Sequence, residues 1–175
     1  MKPSDSVLLN KRTASPLSLT RMGFGSAPLG NLYRKVSDED SEAAILAAYE
    51  AGIRYIDTAP QYGLGRAEER IARTLPKIGR DNIVISTNVG RLLHDCAPHE
   101  VTPYAFVDVP QKRLEFDYSY DAVMRSHEES LKRLGVDRVD ILLVHDVCVF
   151  SQGSQEMSDR RVRELFDLGG YRAIS

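Results

Sequence analysis

Short apolar runs bounded by glycine, proline and polar residues alternate along the chain with longer stretches whose apolar positions recur every three or four residues. These two periods are the marks of strands and helices. RMGFGSAPLG (21–30) mixes glycines with apolar residues, as in a strand whose backbone something approaches closely. Residues 37–52 read as a helix: Ser37 can cap it with Asp40 three residues on, Ala43, Leu46, Ala47 and Glu50 share a face, and Gly52 suits the stop. IRYIDTAP (53–60) is a short strand. GRAEERIARTLP (65–76) has Ile71 and Leu75 at helical spacing, and Pro76 is expected to end it. NIVISTNVG (82–90) is the third strand.

Residues 91–118 show no sustained period and predict a long loop. SYDAVMRSHEESLKRLG (119–135) then places Val123, His127, Leu131 and Leu134 on one stripe, with Gly135 as a stop signal. DRVDILLVHD (137–146) is the fourth strand, and SDRRVRELFDLGGYRAIS (158–175) a last helix capped by Ser158. Strands and helices alternate, and runs such as ILLV imply strands covered on both faces, so the pattern predicts a parallel α/β fold. Each unit takes roughly 35 to 40 residues, and the ~250 or more of a (β/α)8 barrel would need eight of them. The fold expected is therefore the N-terminal half of a TIM barrel, about four βα units forming a single truncated domain over residues 1–175. A doubly wound sheet is the rival, but GFGSAPLG lacks the spacing of its G-x-G-x-x-G phosphate fingerprint.

Composition narrows the function classes. The chain has 175 residues, with 23 Lys plus Arg against 25 Asp plus Glu and no long run of either sign. Nothing in that balance suggests a nucleic-acid or membrane partner. Residues 1–13 offer one early lysine and a three-residue apolar run, short of a signal peptide, and no segment approaches membrane-spanning length. Cys96 and Cys148 have neither metal-ligand spacing nor the count of a disulfide scaffold, so a reducing, cytoplasmic compartment is expected.

Ligands of parallel α/β proteins meet the C-terminal ends of the strands. The residues there are Gly25 and Ser26, then Asp57 with Tyr62 past a short turn, then Asn88, then His145 and Asp146. An acid, a phenol and an imidazole converge in this reading. His127 falls to the packed face of its helix, His94 and His99 to the loop, and Glu68-Glu69 and Glu128-Glu129 to solvated helix faces. A metal-dependent sugar isomerase on a similar barrel would want more ligands than Asp57, His145 and Asp146 provide.

YIDTAPQYG, with an aspartate at a strand end and a tyrosine five residues later, resembles the aldo-keto reductase signature. LLVHD completes the likeness, which runs from GFGSAPLGN through GRAEERIARTL to SHEESLKRLGVDRVDILLVHD and the stretch ending GYRA. The resemblance is nearest to the branch of pyridoxal 4-dehydrogenase, L-fucose dehydrogenase and D-threo-aldose 1-dehydrogenase. It implies hydride transfer between NAD or NADP and a small sugar or pyridoxal-like alcohol or aldehyde. By the same resemblance Tyr62 exchanges the proton, a neutral His145 orients the substrate oxygen, and Asp57 holds a lysine and touches the nicotinamide ribose. Gly25 and Ser26 would also meet the cofactor.

The family's third-strand motif would read S-T-K-V-G, where this chain has STNVG. Asn88 occupies the lysine's position with an uncharged side chain that is two atoms shorter. Without that cation the phenol keeps a high pKa, so proton transfer is expected to slow by orders of magnitude and the enzyme to be weak or inactive. The resemblance further implies that this chain ends before the strands whose groups grip the nicotinamide amide and the adenosine phosphate. Four strands leave open edges, which makes self-association an expectation. A non-catalytic remnant, or a packing partner of another chain, is the alternative reading.

Overall fold

The computed structural model describes residues 2, 4–9 and 16–175. In chain order these form strands β1 (Ser6–Leu9), β2 (Leu17–Thr20) and β3 (Phe24–Gly25), helix α1 (Asp38–Glu50), strand β4 (Tyr55–Asp57), helix α2 (Arg66–Ile78), strands β5 (Val84–Val89), β6 (Arg91–Asp95) and β7 (Lys112–Phe116), helix α3 (Tyr120–Leu134), strand β8 (Ile141–Val144), and helices α4 (Val149–Gln152), α5 (Gln155–Asp167) and α6 (Gly170–Ile174). Strands β3, β4, β5 and β8 make one parallel sheet in that order. The architecture is that of four βα units of an eight-stranded barrel.

Register decides which side chains share a face. Asp57 lies beside Gly25 and Ser86, Ser86 beside Ile141, and Asn88 beside Leu143. Side chains alternate along a strand, so Asp57, Ser86, Asn88, Leu143 and His145 fall on the inward face. Ile56 and Ile85 point the other way. They join Leu29, Ile45, Ala67, Ile71, Leu75, Ile78 and Leu134 in the main core, sandwiched between the sheet and helices α1, α2 and α3.

Capping residues set the helix starts. Ser37 Oγ accepts from Asp40 N, Ser119 Oγ from Ala122 N and Ser154 Oγ from Met157 N. Gly135, at φ 66°, closes α3 in the left-handed conformation that glycine adopts without strain. On α1 the docked face is Ser41 and Ile45, while Ala43, Ala47 and Glu50 face outward, the reverse of the expected stripe.

Other expectations needed correction. The first strand covers only Phe24–Gly25, because the chain turns at Ser26 into a short 3-10 helix, Ala27–Gly30. Pro76 does not end α2, which runs on to Ile78. The proline is on the solvated side, the helix loses only the bond to the half-exposed Ala72 carbonyl, and burial of Ile78 with the Gly79 cap holds the last turn. Residues 91–118 are not a loop throughout: β6 and β7 pair antiparallel around a second core of Leu64, Leu93 and Leu114. Arg91, Leu92 and Leu93 are all buried, so no alternation betrays β6 in the sequence. The last helix starts at Gln155 rather than Ser158, whose hydroxyl instead donates to the Val147 carbonyl. It also breaks at Gly169, whose left-handed φ of 80° interrupts the helix, and Gly170 beyond it lies against the Tyr118 carbonyl where no β-carbon fits.

Glu68 is the largest departure on a helix. It is fully buried, not solvated, and it accepts from Thr87 Oγ1 at 2.9 Å and from Arg133 Nε at 2.6 Å. One carboxylate thus ties α2 to β5 and α3. The N-terminal hairpin β1–β2 was not anticipated, and residues 1, 3 and 10–15 of the variable N-terminal stretch lie outside the described residues. Among the described residues, no helix is long and apolar enough to cross a membrane.

Candidate active site

Tyr62 is placed by backbone rather than by side chains. Its turn runs from the end of β4 into α2, and Gly63 lies so close to Gly30 that a β-carbon on either would fall about 2.5 Å from the other's backbone. Gly63 also needs φ +67°, which glycine supplies freely. From above, Phe106 packs on the phenol with ring centroids 6.2 Å apart. That segment is pinned in turn: Asn31 Nδ2 donates to the Val107 carbonyl, and Arg70 Nη1 donates to Asn31 Oδ1 at 2.9 Å. Arg70, only 4% exposed, also donates to the Val36 carbonyl and to Asp38, so one buried guanidinium organises the loop between β3 and α1.

At the strand ends the acid, phenol and imidazole named from the sequence are brought around one hollow of about 590 Å³. Its walls include Asp57, Tyr62, Asn88, Phe106, His145 and Asp146. The Tyr62 and His145 rings meet edge to face, 6.2 Å between centroids. Asp57 Oδ1 accepts from Ser86 Oγ at 2.6 Å, and Ser86 Oγ lies 3.0 Å from the Tyr55 hydroxyl. Gly25 faces open space, while Ser26 is buried and its amide donates to the Asp57 carbonyl at 2.9 Å.

Burial dominates the electrostatics. It pushes the Asp57 carboxyl up, against the opposing hydrogen bond from Ser86. The Tyr62 phenol is raised above 10 by burial first and by the carboxylates Asp57 and Asp146 next, with the Arg91 cation pulling the other way. His145 is lowered to about 4, by burial and then by Arg91, against Asp146. At neutral pH the imidazole is therefore uncharged, and its 3.7 Å approach to Asp146 is no ion pair. Its Nδ1 is buried with no hydrogen-bond partner among the described residues, as are Ser26 Oγ and Thr58 Oγ1.

Position 88 carries an amide, 7% exposed, where a cation would have opposed the rises at Asp57 and Tyr62. Asp57 is left with hydroxyl partners alone, Ser86 and through it Tyr55. Ser86 was within reach of sequence reasoning, since it stands two residues before Asn88 and so shares its face. Phe106, Tyr118 and Arg91 were not, because they come from the stretch in which no period is visible. A second hollow, of about 620 Å³, lies at the opposite end of the strands. Its arginines are engaged: Arg80 with Asp140, Arg138 with Asp81, and Arg54 with the Tyr49 and Ile53 carbonyls.

The sequence profile of the Aldo/keto reductase family matches residues 21–164. D-threo-aldose 1-dehydrogenase from Pseudomonas sp is 42% identical over 137 residues, which is 76% of this chain and 42% of the relative. Pyridoxal 4-dehydrogenase from Microbacterium luteolum is 39% identical over 171 residues, 91% of this chain and 48% of the relative. Among solved structures, an aldo-keto reductase from Pseudomonas aeruginosa superimposes with a TM-score of 0.61 at 28% identity, covering 93% of this chain and 57% of its own. The chain spans about half the length of the curated relatives it matches.

Proposed function

Because the chain belongs to the aldo/keto reductase family, we propose that it serves hydride transfer between NAD or NADP and a small sugar or pyridoxal-like alcohol or aldehyde. The substrate class rests on the relatives' names, an aldose dehydrogenase and a pyridoxal dehydrogenase. The single observation that carries the chemistry is the phenol and neutral imidazole, 6.2 Å apart, over a carboxylate at one rim. The cofactor, when bound, supplies or accepts the hydride. The donor set fits it: the buried Ser26 hydroxyl without a partner, the Asp57 carboxylate and the Asn88 amide suit a ribose and a carboxamide.

In this reading the Tyr62 hydroxyl holds the proton that joins or leaves the substrate oxygen. His145, uncharged, donates to that oxygen and orients it. Asn88 donates a hydrogen bond but supplies no charge. With burial and the neighbouring carboxylates pushing the phenol above its ordinary range, phenolate is scarce at neutral pH. Alcohol oxidation is accordingly slow and rises towards alkaline pH, and restoring the cation speeds it. A second reading, a chain that binds without turning over or packs on another chain, is favoured by the same Asn88. The exposed edge strand β8, with Leu143 43% exposed, supports self-association through the open sheet. Free Cys96 and Cys148 support a reducing, cytoplasmic setting.

Cofactor binding is tested first, by quenching of intrinsic tyrosine fluorescence at up to about 1 mM NAD and NADP, the top of the ordinary KM range. No saturable signal overturns the proposal. Binding followed by a gain of about 10² to 10⁴ in aldose or pyridoxal-alcohol oxidation in Asn88→Lys supports it. Binding without that gain favours the second reading.

A further inference from the structure

With position 88 uncharged, another cation stands at this rim. Arg91 opens β6 directly after Gly90, whose φ of +95° and contact with the Tyr118 ring leave no room for a side chain. That turn tucks the arginine inside. It is 3% exposed, its guanidinium carbon lies 4.9 Å from the centre of the Phe116 ring, and its Nη2 is 3.4 Å from Asp146 Oδ2. Its Nε is buried with no hydrogen-bond partner among the described residues. Arg91 is not among the residues that line the hollow, but it reaches Asp146, which is.

We propose that Arg91 is a positioning residue, a buried cation that reaches the rim at Asp146 Oδ2, the atom His145 also approaches, and acts there on His145 and Tyr62 together. Its functional meaning rests on the aldo/keto reductase reading above, but its electrostatic content does not. Among the described residues, the titratable and charged groups around His145 are Asp146 from its own strand end, Arg91 of β6 through its contact with Asp146, the Tyr62 ring from the turn before α2, and Tyr118, whose hydroxyl donates to the His145 carbonyl at 2.7 Å. From α5, Arg161 stacks at 6.0 Å over Tyr118. Asp57 and Tyr55 act on the phenol from β4, and Asp146 from the end of β8. Of the two cations, Arg91 is the one that bears on both the imidazole and the phenol.

A cation disfavours imidazolium and favours phenolate, so removing it raises both pKa values. Loosening of the site does something else. Lost burial would raise His145 towards 6.5 but lower Tyr62 towards 10. The direction of Tyr62 therefore separates charge from packing. Ring-labelled histidine and tyrosine are titrated by NMR in the wild type, Arg91→Met and Arg91→Lys, with assignments from His145→Gln and Tyr62→Phe. In Arg91→Met both groups should rise, His145 by at least about one pH unit, and in Arg91→Lys both should stay near the wild type. An unmoved His145, or a falling Tyr62, overturns the proposal. Arg91→Gln replaces Arg91→Met if the latter does not fold; if both unfold while Arg91→Lys folds, the role is structural and the proposal falls. Loss of cofactor binding in the wild type would overturn the family-based reading and leave these titrations unaffected.

Discussion

The two faces of the parallel sheet differ in almost every respect. Outward, Ile56 and Ile85 are 4% and 0% exposed and sit in a closed layer under three helices. Inward, β8 presents Leu143 at 43% exposure beside buried Asn88 and His145. The same strands thus carry a finished core on one side and an open, polar site on the other. Stability and chemistry are assigned to opposite faces, so substitutions should sort by the face they touch.

The largest effect is expected where the outer layer contains a charge. Arg133→Met leaves Glu68 buried and unpaired, which should cost about 3 to 5 kcal/mol in urea denaturation; a cost under ~1 kcal/mol would show that the carboxylate is not part of the closed layer. Ile85→Ala should cost about 2 to 5 kcal/mol by the same measurement, through lost transfer energy and the cavity left behind. His145 is next, and it probes the inward face. The unfolded chain binds that proton near 6.5 and the folded chain near 4. Between those values acid therefore favours unfolding, by about 3 kcal/mol in all at ~1.36 kcal/mol per pKa unit. The pH dependence of stability in His145→Gln should lack that component, and identical curves would sink it. Leu143→Ala should change stability least, by under ~1 kcal/mol, because its side chain is already half in water. A loss equal to that of Ile85→Ala would abolish the distinction between the faces.

These contrasts also explain what could be read from the chain alone. The alternation of runs such as IVIS and ILLV with amphipathic stretches carries the fold, since outward packing obeys local periodicity. Asp57, Tyr62 and His145 were legible because each directly follows, or lies in a short turn beyond, such a run. Arg91 and Phe106 were not, because their placement depends on a hairpin whose first strand is buried on both sides. A charged residue after a glycine looks like a solvated turn. Glu68 misled for a related reason: its partner Arg133 is far along the chain, and local spacing cannot announce a pairing that only the packing of α2 on α3 creates.

The approach of Gly30 to Gly63 bears on how this chain tolerates change. The turn that aims Tyr62 is held by two residues that have no functional group to lose. Every single-nucleotide missense replacement of a glycine codon adds at least one carbon, and here that carbon would meet main chain which cannot swing aside. A saturation library should therefore show two silent-looking positions as barren as the phenol itself.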